Sequence, residues 1–167
     1  MKIKIFTILI LLISVSSIFA QGKRRGKSTA GYYQYEAECE GSEMDGSQLV
    51  RAFGTGRTKA DAKEQAKKAA VYAVIFKGIR LGKPGCSLKP LVFNPNIEEQ
   101  KQDFFNEFFQ DGGKFQDFVT FDDVPARMTV KEKGEGAEKV FGLVLTIKMV
   151  PLKKYLTEKG IIPVSVE

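Results

Sequence analysis

Between residues 33 and 40 the chain alternates. Tyr33, Tyr35, Ala37 and Cys39 fall on one side of an extended backbone, and Gln34, Glu36, Glu38 and Glu40 on the other. A period of two predicts an antiparallel strand with one wet face. Residues 41–47, rich in Gly, Ser and Asp, read as a turn. A second strand follows over residues 48–54 and closes a hairpin.

The period then changes. Ala62, Ala66, Ala69, Ala70, Ala73, Val74 and Phe76 recur at spacings of three and four, with Lys59, Lys63, Glu64, Lys67 and Lys68 between them. This predicts an amphipathic helix, begun by Thr58 with Asp61 as capping-box partner and stopped near Gly78. Its stripe is mostly alanine, and small side chains let a helix lie close on the apolar face of a sheet. Pro84, Pro90 and Pro95 keep residues 79–95 irregular. Asn96, answered by Glu99, opens a second helix striped by Phe104, Phe105, Phe108 and Phe109 and ended by Asp111-Gly112-Gly113. Phe115, Phe118 and Val119 predict one further helical turn.

A second hairpin comes next. Ala126, Met128 and Val130 alternate with Arg127, Thr129 and Lys131; after a turn at 134–137, Phe141, Leu143, Leu145, Ile147 and Met149 share one face. Pro151 suits the first position of a short helix over 152–159 that Gly160 closes, and residues 161–167 read as an extended tail. The order ββαα(α)ββα, with strands in pairs, predicts an α+β domain: an antiparallel sheet of two hairpins with helices packed on one face. No internal repeat is visible, so residues 32–160 form a single domain.

The N-terminus changes the picture of where this domain works. Lys2 and Lys4 precede an apolar run, and residues 14–20 turn small and weakly polar, the order of a signal peptide cut after Ala20. The run over residues 5–20 is 16 long, short of the roughly 20 needed to span a bilayer. The protein is therefore expected to be exported to the periplasm or cell envelope, with Gln21 as its new first residue. No cysteine stands at the cleavage point to accept a lipid. Residues 21–31 form a basic flexible tail, in which Lys23, Arg24, Arg25 and Lys27 are either solvated or make peripheral contact with anionic membrane. Of 26 basic residues the leader holds two, so 24 against 20 acidic ones leave +4 on the mature chain. So mild a charge on an exported chain argues against nucleic acid. Cys39 and Cys86 are an even pair in an oxidising compartment, which favours one disulfide over two buried thiols.

Candidate chemistry is sparse. The chain has no histidine and no tryptophan, which removes Ser-His and Cys-His nucleophile pairs and the commonest metal ligand. Ser42, Ser47 and Ser87 stand in no recognisable nucleophile frame. Gly54-Thr55-Gly56-Arg57-Thr58-Lys59 joins a strand to a helix start, where amides could hold an anion. Lys59, however, stands where a third glycine would complete a dinucleotide turn, so structural tightening is the expected role. Asp45 with Glu43, and Asp122-Asp123, lack calcium-loop spacing and read as surface turns. No catalytic residue, metal or cofactor is expected, and without tryptophan no aromatic-lined substrate groove is evident. The phenylalanines stand out: Phe104, Phe105, Phe108 and Phe109 cover a wider arc than one small sheet buries, so the four should divide between core and a partner-docking surface.

The segment QLVRAFGTGRTKADAKEQAKKAAV at residues 48–71, a strand entering an alanine-rich helix through a glycine turn, resembles the lipoprotein-20 family and the N-terminal domain of flagellar assembly protein T. The stretch VIFKGI at residues 74–79 is similar to envelope proteins that accompany curli-type secretion channels. The resemblance implies a non-catalytic accessory or assembly role among other envelope proteins, and no active-site residues. This chain departs from the first family in lacking its lipid-acceptor cysteine. The leading expectation is thus a protein-binding envelope accessory, not an enzyme; the alternative is a soluble binder of, or enzyme on, cell-wall polymer or glycan.

Overall fold

A computed structural model describes residues 36–163 apart from 57, 85, 122–127 and 134–138, and gives 128–133 and 139 by backbone alone. The signal peptide, the basic tail, Tyr33, Tyr35, Arg57, Asp122-Asp123, Ala126, Arg127, the 134–137 turn and the last four residues lie outside the described residues.

The fold is α+β. Strands β1 (Glu38–Ser42) and β2 (Gln48–Gly56) pair antiparallel as expected, with a bulge between Cys39 and Gly41. Their turn is closed by the Glu43 N–H donating to the Ser47 carbonyl, and by Gly46, whose φ of 83° is open to glycine at no steric cost. The middle of the sheet is a pairing between distant segments. β2 runs antiparallel to β6 (Lys139–Ile147) over nine residue pairs, setting Val50 opposite Leu145 and Ala52 opposite Leu143. β5 (Met128–Lys133) forms the second hairpin with β6.

Two short strands correct the two-hairpin picture. β3 (Leu81–Gly82) runs parallel to β1, so the sheet is mixed, and β4 (Val119–Thr120) joins β6 beside the residues that β5 leaves unpaired. The order is β3-β1-β2-β6-β4, with β5 also on β6. A two-residue strand leaves no periodicity to read, which is why both escape the sequence pattern.

Helix α1 (Lys59–Tyr72) lies on the inner face of β2 and β6. Its alanines Ala62, Ala66, Ala69 and Ala70 are buried, and the approach is close: a Cβ on Gly54 would lie 2.0 Å from the Ala62 carbonyl oxygen. Lys68, expected on the wet side, is buried instead. The last turn, Ala73–Lys77, widens into a π-helix before Gly78 reverses the chain at φ 70°. Past that point the carbonyls of Val74 and Ile75 accept from the amides of Leu91 and Val92, so the proline-rich segment caps the helix end.

The second predicted helix is broken. α2 (Ile97–Gln100) and α3 (Gln102–Phe109) meet at Lys101, whose backbone is non-helical. Asn96 makes no side-chain cap: at φ −96° and ψ 0° it is not extended, and the Asn94 side chain accepts its N–H. Lys114–Phe118 supply the further turn, as a 3-10 helix. α4 (Met149–Glu158) starts earlier than its pattern predicts, which places Pro151 third, still among amides that have no intrahelical partner. Met149 thereby leaves the strand face for the helix. Ile161 and Ile162, at the expected start of the extended tail, bend back so that both amides donate to the Leu156 carbonyl, and both are buried. One contiguous core joins Val50, Leu143, Leu145 and Ile147 to the buried sides of α1, α3 and α4.

Candidate functional site

The glycine turn before α1 is a packing device. Besides the Gly54 contact, a Cβ on Gly56 would stand 2.7 Å from the Ala62 amide nitrogen. The Thr58 hydroxyl accepts from the Asp61 N–H, and the Asp61 carboxylate accepts from the Thr58 N–H, so the helix start answers its own amides. This agrees with the structural role and leaves the anion reading without support.

Cys39 and Cys86 are joined, with Cα atoms 5.7 Å apart. Cys39 is wholly buried beneath the sheet edge, and the bridge ties the proline-rich segment to β1. Lys83 reinforces it by donating its amide to the Cys39 carbonyl. Alongside, the Glu40 carboxylate accepts from the Arg51 guanidinium at 2.6 Å and faces Lys83; the Arg51 hydrogen bond is the largest influence and, with Lys83 adding to it, holds the carboxyl below the ordinary range against burial, which is second in size. Ser47 places its hydroxyl and its amide on the Asp45 carboxylate, keeping that carboxyl low and marking residues 43–47 as a self-bonded turn. Among the described residues no cluster of acids and cysteines is arranged to hold a metal ion, and no helix is long and apolar enough to cross a membrane.

The four phenylalanines do divide, but three to one. Phe105, Phe108 and Phe109 are core residues, 1 % exposed or less; Phe104 is half-buried. The reason is that α3 is covered on more than one side. Phe105 packs edge-on against Phe76 of the π-turn, Phe109 meets Phe115, and Phe108 meets Phe118. A docking surface of all four rings is therefore ruled out, and Phe104 alone keeps a side open.

Phe104 opens on a cleft that the sequence did not reveal. Tyr155 of α4 comes alongside it, and Phe104, Phe108 and Tyr155 lie within 29° of parallel with centroids 5.8–6.2 Å apart. The cleft holds about 340 Å³ and is rimmed by Glu107, Gln110, Lys114, Asp117 and Lys159. Gly113 permits the tight turn beneath Gln110, since a Cβ there would meet the Phe108 carbonyl oxygen at 2.5 Å. Lys114 pairs with Asp117, and the Lys159 ammonium sits 5.7 Å from the Tyr155 ring centre. Burial lifts the Tyr155 phenol above its usual range; Lys114 opposes this, and Glu107 and Asp117 add to it. Among the described residues the phenol oxygen has no hydrogen-bond partner. Tyr155 lies 51 positions from Phe104 in the sequence. The only available signal was its place three residues from Leu152 on an amphipathic helix, which reads as ordinary core.

A second surface is apolar. Met44 is fully exposed at the tip of the β1–β2 turn, and Val150 at the start of α4 is 67 % exposed. A Cβ on Gly46 would sit 3.8 Å from the Val150 side chain, so the turn and the helix start adjoin. Compared with known family models, curated proteins and solved structures, the chain matches none.

Proposed function

We propose that this chain is a non-catalytic exported protein of the periplasm or cell envelope that binds other proteins, as an accessory of a surface or secretion assembly. One observation carries the reading: two large aliphatic side chains, Met44 and Val150, stand in water on adjoining elements, the β1–β2 turn and the start of α4, of a disulfide-fastened domain. Exposed apolar groups gathered at one place mark contact surfaces, and methionine adapts to partner shape. The joined cysteines support an oxidising compartment. The absence of histidine from the whole sequence removes histidine-activated nucleophiles.

The test uses cross-linking in the envelope of the organism that makes the protein. Met44→Asp and Val150→Asp should leave thermal unfolding unchanged and remove a specific protein adduct. An adduct that survives both changes overturns this surface. A second reading, binding of cell-wall polymer or glycan, is favoured by the Phe104–Tyr155 cleft.

A further inference from the structure

The cleft between α3, the 3-10 turn and α4 has a floor and a rim of different chemistry. The floor is aromatic, with half-buried Phe104 and Tyr155 near-parallel to each other and to the wholly buried Phe108. The rim carries two carboxylates and two ammonium groups, Glu107 and Asp117 with Lys114 and Lys159, so its formal charge is zero. Its volume of about 340 Å³ falls at the small end of ligand sites, roughly 300–1,000 Å³. We infer that this cleft binds one neutral sugar ring of a glycan, stacked on Phe104 and Tyr155 with its hydroxyls on Glu107, Asp117, Lys114 and Lys159.

Each part of the ligand answers a feature of the site. A pyranose has an apolar C–H face, which an aromatic ring accepts by dispersion and by its negative π-face. Its hydroxyls each donate and accept, so they pair with carboxylates, which only accept, and with ammonium groups, which only donate. The Tyr155 hydroxyl, unbonded within the described residues, adds a group that does both. A phosphate or other anion would meet two carboxylates. A lipid chain would meet a ring of charge around a floor only two aromatics wide. The inference deepens the glycan-binding reading and rests on it; the cleft shares no lining residue with the Met44–Val150 surface, so it stands apart from protein binding.

The test is an amide chemical-shift titration of the isotope-labelled, exported full chain. One arm uses chitin oligosaccharides, whose N-acetylated ring is that of a wall strand; the other uses cello-, malto- and manno-oligosaccharides. Saturable shifts confined to residues 104–117 and 155–159 in either arm support the inference, and the responding arm tells wall glycan from other polysaccharide. Phe104→Ala and Glu107→Ala should each weaken binding at least tenfold. Glu107 is exposed and its replacement leaves the fold intact, so its effect is readable even where Phe104→Ala loosens the core. No shifts at the cleft in both arms, or equal affinity in the Glu107→Ala protein, overturns the inference. So does loss of a cross-linked protein partner in Glu107→Ala with no sugar response, since the cleft would then be a protein contact. Sugar binding that persists in Met44→Asp separates this result from the fate of the protein-binding reading.

Discussion

Lys68 and Asp111 form an ion pair whose two halves have different surroundings. The lysine side chain is 5 % exposed and the aspartate 86 %. The stem of Lys68 runs through the core below α1, its ammonium passes 5.8 Å from the Phe115 ring centre, and it emerges only to meet Asp111. The pair fastens the turn after α3, and with it the Gln110 side of the cleft, to the central helix.

That asymmetry predicts unequal mutational costs. Asp111→Ala strands an ammonium with little water and should cost about 1–3 kcal/mol. Lys68→Met keeps the stem and returns an exposed carboxylate to water, so it should cost less than Asp111→Ala. Urea denaturation of the two variants checks the order; a costlier Lys68→Met contradicts it.

Gly54 should be far harder to replace than Gly112. Its absent Cβ faces backbone atoms of Ala62 and Ala66, which cannot rotate aside, so Gly54→Ala should cost about 3 kcal/mol or more. Gly112 at φ 74° faces open space, and Gly112→Ala should cost about 1 kcal/mol from backbone strain alone. Thermal unfolding of both proteins gives the comparison.

The same contrast applies to the phenylalanines. Alanine at Phe105, Phe108 or Phe109 should cost about 3–5 kcal/mol each. At half-buried Phe104 it should cost about 1–2 kcal/mol. Equal losses at all four would mean that Phe104 is no less buried than its neighbours.

The disulfide closes a loop of 47 residues. Chain entropy alone gives about 4 kcal/mol for that length. Reduction should lower the urea midpoint accordingly. The unreduced, denatured protein should not react with a thiol reagent.

Tyr72 donates its hydroxyl to Glu98, and burial, then that bond, push its phenol up to about 12. The neutral form is favoured in the folded state. Its stabilisation is therefore complete below the unfolded value near 10 and fades as pH rises from there through about 12. Two pKa steps correspond to about 2.7 kcal/mol, and with the ring only partly buried, screening brings this toward 1 kcal/mol. Tyrosinate absorbance on alkaline titration should show a phenol at about 12 that Tyr72→Phe removes, while the raised phenol of Tyr155 remains.

Legibility in the sequence followed the length scale of the force involved. The β1–β2 hairpin, α1 with its Thr58–Asp61 cap and the glycine turn each rest on neighbours or on a long period, and each was readable; the bridge across 47 residues was readable for another reason, since two cysteines leave each other as sole partners. The β2–β6 pairing was not, because nothing local to residues 48–56 names residues 139–147 as partner. β3 and β4 are too short to show a period. Lys68 was misplaced because charge and spacing assign a lysine to water, and only the position of Asp111 in space reverses that. The cleft failed for the same reason: Phe104 and Tyr155 are each ordinary apolar positions, and only the packing of α4 against α3 makes them neighbours.

The π-turn at Ala73–Lys77 has a consequence for how segments open to solvent. Its hydrogen bond from the Gly78 amide to the Ala73 carbonyl leaves the Val74 and Ile75 carbonyls to Leu91 and Val92, at 3.1 and 3.0 Å. Residues 91 and 92 belong to no helix or strand, yet their amides are released only when the end of the central helix lets go. In native-state deuterium exchange they should behave as part of the same cooperative unit as α1, slow together and lost together. The flanking amides of Phe93 and Asn94 on the exposed side should exchange fast.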